Sequence, residues 1–92
     1  MNHLLIQLKQ ARQAKSLTQA ALGKKLGLPQ SHLSTIERGE TDPRLSTVTE
    51  YAQLVDQVLI SVPRKLVPAI RAMVDGQQDQ APMWTPDEGD EA

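Results

Sequence analysis

Hydrophobic residues recur at helical spacing through the first part of the chain. Between residues 3 and 15, Leu4, Leu5, Leu8 and Ala11 lie at helical spacing, and Gln, Lys and Arg fill most of the other positions. This period is typical of an amphipathic helix that buries one face, so it predicts a first helix over residues 3–15.

Two shorter helices are predicted next, with a tight turn between them. Thr18 is an acceptable N-cap, and the apolar residues that follow it predict a helix that Gly27 closes. The Leu-Pro pair at 28–29 predicts the turn, because proline cannot extend the preceding helix but suits the start of the next one. A third helix is predicted over residues 30–38, with Gly39 as its C-terminal stop.

The rest of the chain changes period. Apolar spacing from Leu45 to Val55 predicts a fourth helix. The β-branched run Val58 to Val62 predicts a short strand, although so short an apolar run also fits a helix. A lone strand has no backbone partner, so it would most simply pair with its copy in a second subunit. Residues 64–75 return to a helical pattern, and residues 76–92 have the polar, acidic composition of a flexible tail.

The charges divide the chain in a similar way. The net charge of the 92 residues is only −1, but all ten Lys and Arg lie within residues 1–71, where five acidic residues leave a net +5. The remaining residues hold six acidic side chains and no Lys or Arg, which gives −6. A basic body joined to an acidic tail indicates a charged partner.

Composition excludes several classes of protein. Phe is absent and Tyr51 and Trp84 are the only aromatic residues, so the core must be aliphatic, which favours a mainly α fold. Without Cys there is no disulfide and no thiolate nucleophile, and no apolar run reaches the ~20 residues of a membrane helix. The N-terminus has no signal-peptide core, so we expect a soluble cytoplasmic protein. No phosphate loop, nucleophile elbow, paired carboxylates or metal-ligand spacing is present, so we expect neither an enzyme nor a metal or other cofactor.

Residues 17–39 combine two short helices with a tight, glycine-containing turn, which is the organisation of a helix-turn-helix. Over about residues 4–56 the chain also resembles the phage-repressor-like (Cro/C1, or XRE) DNA-binding domains. The matching residues are Leu17, Thr18, Gln19, Leu22, Leu26, Gly27, Leu33, Ser34, Ile36, Glu37, Arg38, Gly39, Pro43 and Leu45. The resemblance implies a lambda-repressor-like bundle of four to five helices. Gly23 departs from it, because the family usually has Ala there; Gly is poorer in a helix but permits close packing.

The third helix is the predicted reading element of this motif. Gln, Ser and Thr can exchange hydrogen bonds with base edges in the major groove. The candidates, on the face opposite the inward Leu33 and Ile36, are Gln30, Ser31, Ser34 and Thr35, with Gln30 first.

Four further residues are predicted to contact the DNA backbone. Arg38 and Lys24 are the candidate phosphate contacts, which add affinity without sequence information. The resemblance implies that Gln19 bonds a phosphate and braces the first residue of the recognition helix. Thr18 caps the second helix and would place an amide near the same phosphate.

Arg12 and Glu37 are predicted to be structural. In related repressors the equivalent residues form a bridge between helices, and we do not expect either to contact DNA. The alternative is an exposed ion pair that contributes ~0–1 kcal/mol.

The predicted dimer follows from DNA geometry, since two recognition helices about one turn (~34 Å) apart normally engage a site. A fourth helix, an apolar strand and an acidic tail with a Trp resemble HipB-type antitoxins, whose dimers share a small sheet. The dimerisation residues would be Val58, Leu59, Ile60 and Val62. The resemblance implies that Trp84, assisted by Met83, contacts a HipA-like kinase toxin; the alternative is a Trp that packs on its own domain. The helix at 64–75 departs from this pattern.

The sequence therefore predicts a DNA-binding domain over residues 1–56, a dimerisation strand and helix over 57–75 and an acidic flexible tail over 76–92. Its predicted function is a dimeric repressor that covers a palindromic operator in double-stranded DNA and serves as the antitoxin of a toxin–antitoxin operon. The alternatives are a stand-alone phage-type or restriction-modification controller and a protein-interaction adaptor that does not bind DNA.

Overall fold

The computed structural model describes the backbone of residues 2–84 and the side chains of residues 3–76. The helices in this range are α1 (Asn2–Ala14), α2 (Gln19–Leu26), α3 (Gln30–Glu37), α4 (Leu45–Leu54) and α5 (Val67–Trp84), the last preceded by a 3-10 turn at Arg64–Leu66. The chain divides into two compact units, of which the first ends at Leu59 and the second begins at Ile60.

The core of the first unit lies between α1, α2, α3 and α4. It is aliphatic except for Tyr51, as the composition predicted, and Leu22 and Leu33 at its centre have no exposed surface. Each fully buried aliphatic side chain contributes about 1.5–3 kcal/mol relative to an exposed one. The buried apolar residues of this unit are Leu5, Leu8, Leu22, Leu33, Ile36, Val48, Tyr51, Ala52 and Val55.

The stops predicted for α2 and α3 are confirmed. Gly27 and Gly39 have φ of 72° and 78°, a left-handed conformation that costs a residue with a Cβ more than it costs glycine. After α2, the Leu28 N–H donates to the Gly23 carbonyl at 2.8 Å, which satisfies a carbonyl that the helix end would leave open.

The ends of α1 and α4 use the same turn without glycine. Ser16 and Asp56 have φ of 60° and 61°. The carboxylate of Asp56 also accepts a hydrogen bond of 2.6 Å from Lys15 Nζ, which joins the C-terminal ends of the two helices. The left-handed backbone at these two positions could not be predicted from the sequence, because Ser and Asp are common surface residues in many conformations.

The strand predicted at Val58 to Val62 is not formed, and no strand is present within residues 2–84. Val58 and Ile60 are 80% and 68% exposed, while Leu59 packs against the core of the first unit. The physical reason is that a strand needs a neighbouring backbone to hydrogen-bond, and a single copy of the chain supplies none here.

Helix α5 continues beyond its predicted end at residue 75, passing through Gly76 to Trp84. A single Gly inside a helix costs about 1 kcal/mol, and the Gln, Ala and Met residues around it are good helix formers, so Gly76 does not end the helix. Residues 85–92, and the side chains of the partner-binding candidates Met83 and Trp84, lie outside the described part of the chain.

None of the helices in residues 2–84 combines the length and the apolarity that crossing a membrane requires.

Candidate nucleic-acid interface

Helices α2 and α3 are joined by the three residues Gly27, Leu28 and Pro29. Thr18 is the N-cap of α2, and its Oγ1 accepts a hydrogen bond of 3.0 Å from the Ala21 N–H. Pro29 precedes α3 with extended backbone, and its carbonyl accepts the first hydrogen bonds of that helix. The sequence thus correctly placed both helices and the turn between them.

Gly23 allows the turn to pack closely against α2. A Cβ atom at this position would lie 2.8 Å from the carbonyl oxygen of Leu28, closer than Cβ atoms normally approach backbone. This contact explains why Gly, the poorer helix former, occupies a position where the resembling repressors usually have Ala.

The inner side of α3 carries a buried carboxylate, Glu37, which contacts residues of α1, α2 and α4. Arg12 on α1 donates to it twice, from Nε to Oε2 at 2.8 Å and from Nη2 to Oε1 at 3.1 Å. Gln19 on α2 donates from Nε2 to Oε1 at 3.0 Å, and the hydroxyl of Tyr51 on α4 donates to Oε2. We refer to these four residues as the Glu37 network.

Arg12 also reaches the backbone. Its Nη1 donates to the carbonyl oxygen of Leu17 at 2.7 Å, in the segment that connects α1 to α2. Arg12 and Glu37 are both buried, so this pair is not the exposed ion pair that was the alternative. The pair joins α1 to α3, and Glu37 also contacts Gln19 on α2 and Tyr51 on α4.

The contacts determine the protonation states of the network. Burial by itself would raise the pKa of Glu37, but the hydrogen bonds from Arg12, Tyr51 and Gln19 outweigh it and hold the pKa below its usual range. Burial would lower the pKa of Arg12, but the contacts with Glu37 and Tyr51 together outweigh burial and raise the pKa. Burial and the bond to Glu37 raise the pKa of Tyr51, so the phenol stays protonated and remains a donor.

Gln19 therefore contacts α3 at its last turn. The resemblance implied a brace on the first residue of that helix, whereas the amide nitrogen of Gln19 is directed to Glu37. The participation of Tyr51 was not predicted either, because its place beside the apolar face of α4 indicated only packing. The signal that could have found it is the buried acid, which needs donors from several directions.

The outer side of α3 begins with exposed polar residues. Gln30, Ser31 and His32 are exposed, and Ser34 and Thr35 are half-buried. The Thr35 hydroxyl donates to the His32 carbonyl at 2.7 Å and accepts from Thr41 Oγ1 at 2.9 Å. The proton of the Thr35 hydroxyl is thus used within the protein, whereas Gln30 and Ser31 are exposed to solvent.

The two candidate phosphate contacts differ in their surroundings. Lys24 is exposed on α2. Arg38 is also exposed, but its guanidinium contacts Glu40 at two atoms and donates from Nη1 to the Ser34 hydroxyl. The Glu40 carboxylate raises the pKa of Arg38, and the guanidinium lowers the pKa of Glu40.

The described residues contain no group of three His, Asp or Glu side chains that could hold a metal ion.

The helix-turn-helix family matches this arrangement. Its model covers residues 8–57, from the middle of α1 to just beyond α4, which is more than half of the chain. The chain therefore belongs to the helix-turn-helix family.

The chain is also similar to an uncharacterized HTH-type transcriptional regulator, y4dL, of Sinorhizobium fredii (strain NBRC 101917 / NGR234). The two are 37% identical over 86 residues, which cover 94% of this chain and 44% of the relative. The chain thus spans less than half the length of that protein. No solved structure matches the chain.

Proposed function

We propose that this protein is a DNA-binding transcriptional regulator that reads sequence with α3. The observation that carries the proposal is the difference between the two sides of this helix, one bonded to the other helices and one exposed. Its inner side is fixed to α1, α2 and α4 by the Glu37 network, while Gln30 and Ser31 in its first turn are exposed. Family membership and the similarity to a transcriptional regulator support the same function.

The proposed roles follow from the surroundings of each side chain. Gln30 and Ser31 are placed to read base edges, because the first turn of a recognition helix enters the major groove. Lys24 provides a phosphate contact at the edge of the groove. Gln19 and Thr18, which begin the preceding helix, bring its first amides close to the DNA backbone.

The decisive experiment is a gel-shift titration on the DNA upstream of the gene, against a random duplex of equal length. We expect the upstream DNA to be preferred, with an affinity that falls steeply with salt. Equal binding to both duplexes would contradict sequence-specific regulation. No binding to either duplex would favour the protein-interaction adaptor instead.

A homodimer is part of the proposal, because one recognition helix reads only half of a palindromic site. The apolar segment 58–62 is the proposed contact between subunits. Its support is the high exposure of Val58 and Ile60, two large apolar side chains that a contact between subunits would remove from water.

The more specific proposal is an antitoxin that represses its own operon and binds a HipA-like kinase toxin. Its support is the sequence alone: an acidic C-terminal segment in which Trp84 stands between prolines. Co-purification with a kinase-like protein encoded beside it, lost in Trp84→Ala and kept in Thr85→Ala, is the expected result. A regulator that binds its operator but recovers no such partner would instead be a stand-alone controller.

A further inference from the structure

The loop after α3 contains a carboxylate that contacts one of the candidate DNA-binding residues. Arg38 Nε lies 3.0 Å from Glu40 Oε2, and Arg38 Nη2 lies 3.1 Å from Glu40 Oε1. The carboxylate thus accepts hydrogen bonds from Nε and Nη2, which lie on the same edge of the guanidinium. This is the same edge that arginine offers to a phosphate group.

The third nitrogen of this guanidinium also makes a hydrogen bond. Arg38 Nη1 donates to the hydroxyl oxygen of Ser34, one turn earlier on α3. The hydroxyl oxygen of Ser34 therefore accepts from Arg38, and its proton is available to an acceptor on a base edge. Glu40, Arg38 and Ser34 form one chain of hydrogen bonds along the outer side of the helix.

We propose that Glu40 restrains non-specific DNA binding by holding Arg38 away from phosphate and directing it to Ser34. This inference rests on the proposed DNA-binding function and adds a residue that sets specificity. A phosphate that binds Arg38 through the Nε and Nη2 edge must displace the Glu40 carboxylate from those two donors. Non-specific binding loses most by this competition, since it depends almost entirely on phosphate contacts.

Specific binding gains from the same arrangement. With Arg38 held by Glu40, Ser34 keeps its partner and presents its proton to the acceptors of a purine or thymine edge. A base that offers only a donor at that point, such as cytosine, is disfavoured. Glu40 thus lowers the affinity for all sequences while it favours those that match Ser34.

The test compares two charge-removing variants in the same loop. Glu40→Gln removes the carboxylate that contacts Arg38, and Asp42→Asn removes an exposed carboxylate two residues later. Binding of the full chain to a random-sequence duplex is measured by fluorescence anisotropy over a range of salt concentrations. Circular dichroism verifies that both variants keep the helical content of the wild type.

We expect Glu40→Gln to bind the random duplex about two- to fivefold more tightly at low salt. Its slope of log K against log [salt] should be steeper by about 0.9, the contribution of one added phosphate contact. Asp42→Asn should leave that slope unchanged. The ratio of operator to random-duplex affinity should fall in Glu40→Gln alone.

A double-mutant cycle tests whether Glu40 changes DNA affinity through Arg38. In an Arg38→Gln background, Glu40→Gln should bring no gain in affinity, because the cation that it would release is absent. Equal gains for Glu40→Gln and Asp42→Asn would overturn the inference and leave only a general charge effect, with the proposed function intact. Weaker binding by Glu40→Gln would also overturn it. Absence of any DNA binding by the wild type would contradict both proposals.

Discussion

At the scale of single residues, Glu37 remains charged in the core because three neighbouring side chains donate hydrogen bonds to it. The four groups are interdependent, since removing one partner leaves a buried polar atom without its bond. Such a network restricts the orientation of α3 more than apolar packing alone does, because the energy of a hydrogen bond depends on its angle.

The network predicts that stability depends on pH. The pKa of Glu37 is lower in the folded state than in the unfolded chain. Its contribution is therefore fully present above the unfolded pKa and is lost as pH falls through the folded value. Urea denaturation should show a lower free energy of unfolding at pH 3 than at pH 7.

Tyr51→Phe should separate this contribution from that of the other carboxylates. The variant removes one donor to Glu37, so stability at neutral pH should fall by about 1–3 kcal/mol and the loss on acidification should become smaller. Glu50→Gln, which changes an exposed carboxyl on the same helix, is the control and should behave like the wild type. An unchanged acid dependence in Tyr51→Phe would show that the network does not hold the pKa of Glu37 low.

Gln30 and Lys24 are predicted to have different roles in binding. Gln30→Ala should cost about 1–3 kcal/mol at a single base position and relax the preference there. Lys24→Ala should weaken all sequences alike and reduce the salt slope by about one contact. Gln53→Ala on α4 is the matched control, because Gln53 is also exposed but lies outside the helix-turn-helix. Similar behaviour of Gln30→Ala and Lys24→Ala would show that the two roles are wrongly assigned.

At the scale of secondary structure, the first unit was predictable because its signals are local. Thr18, Gly27 and Gly39 mark helix ends through chemistry that acts over three or four residues. Spacing alone also indicated that Leu33 and Ile36 face inward. The family resemblance supplied the pairing of Arg12 with Glu37.

The features that sequence did not reveal depend on distant contacts or on small energy differences. The bond from Tyr51 to Glu37 joins α4 to α3, and no local pattern encodes it. The contact of Glu40 with Arg38 depends on the path of the loop after Gly39. The end of α5 was misplaced because the polar, acidic composition after residue 75 indicated a tail, whereas the Gln, Ala and Met residues there are also good helix formers.

Gly23 gives a prediction in which two effects oppose each other. Gly23→Ala gains up to about 1 kcal/mol of helix propensity but places a methyl group against the Leu28 carbonyl. The Leu28 backbone cannot move aside as a flexible side chain would, so we expect a net loss of thermal stability. Gly76→Ala is the control, because a Cβ there would meet nothing within 4 Å beyond the adjacent residues and the backbone of its own helix, and it should increase the helical content of α5. A more stable Gly23→Ala variant would show that the turn can move away at little cost.

At the scale of the whole molecule, the near-neutral chain contains a basic part and an acidic part that suit different partners. Residues 1–71 carry a net +5, which favours association with a polyanion, and the acidic residues that follow carry −6. Two joined copies would double the basic surface presented to DNA. Neutralising more phosphates raises both the affinity and its dependence on salt.

The dimer is predicted to fail when charge is placed on the exposed apolar residues of segment 58–62. The double substitution Val58→Asp and Ile60→Asp changes side chains that are 80% and 68% exposed, so the fold of a single copy should persist. Association should be lost, because each carboxylate would have to be desolvated within an apolar contact. Sedimentation equilibrium should show a monomer, and operator binding should weaken because two recognition helices no longer bind as one unit.

The matched control for this experiment is Ser61→Asp with Gln57→Asp. It adds the same two charges to the same stretch of chain but alters no large apolar side chain. We expect this variant to sediment as the wild type does, with at most a modest fall in DNA affinity from the added negative charge. A dimer that survives the change at Val58 and Ile60 would exclude this segment as the contact. Loss of the dimer in both variants would indicate that charge repulsion, rather than apolar burial, controls association.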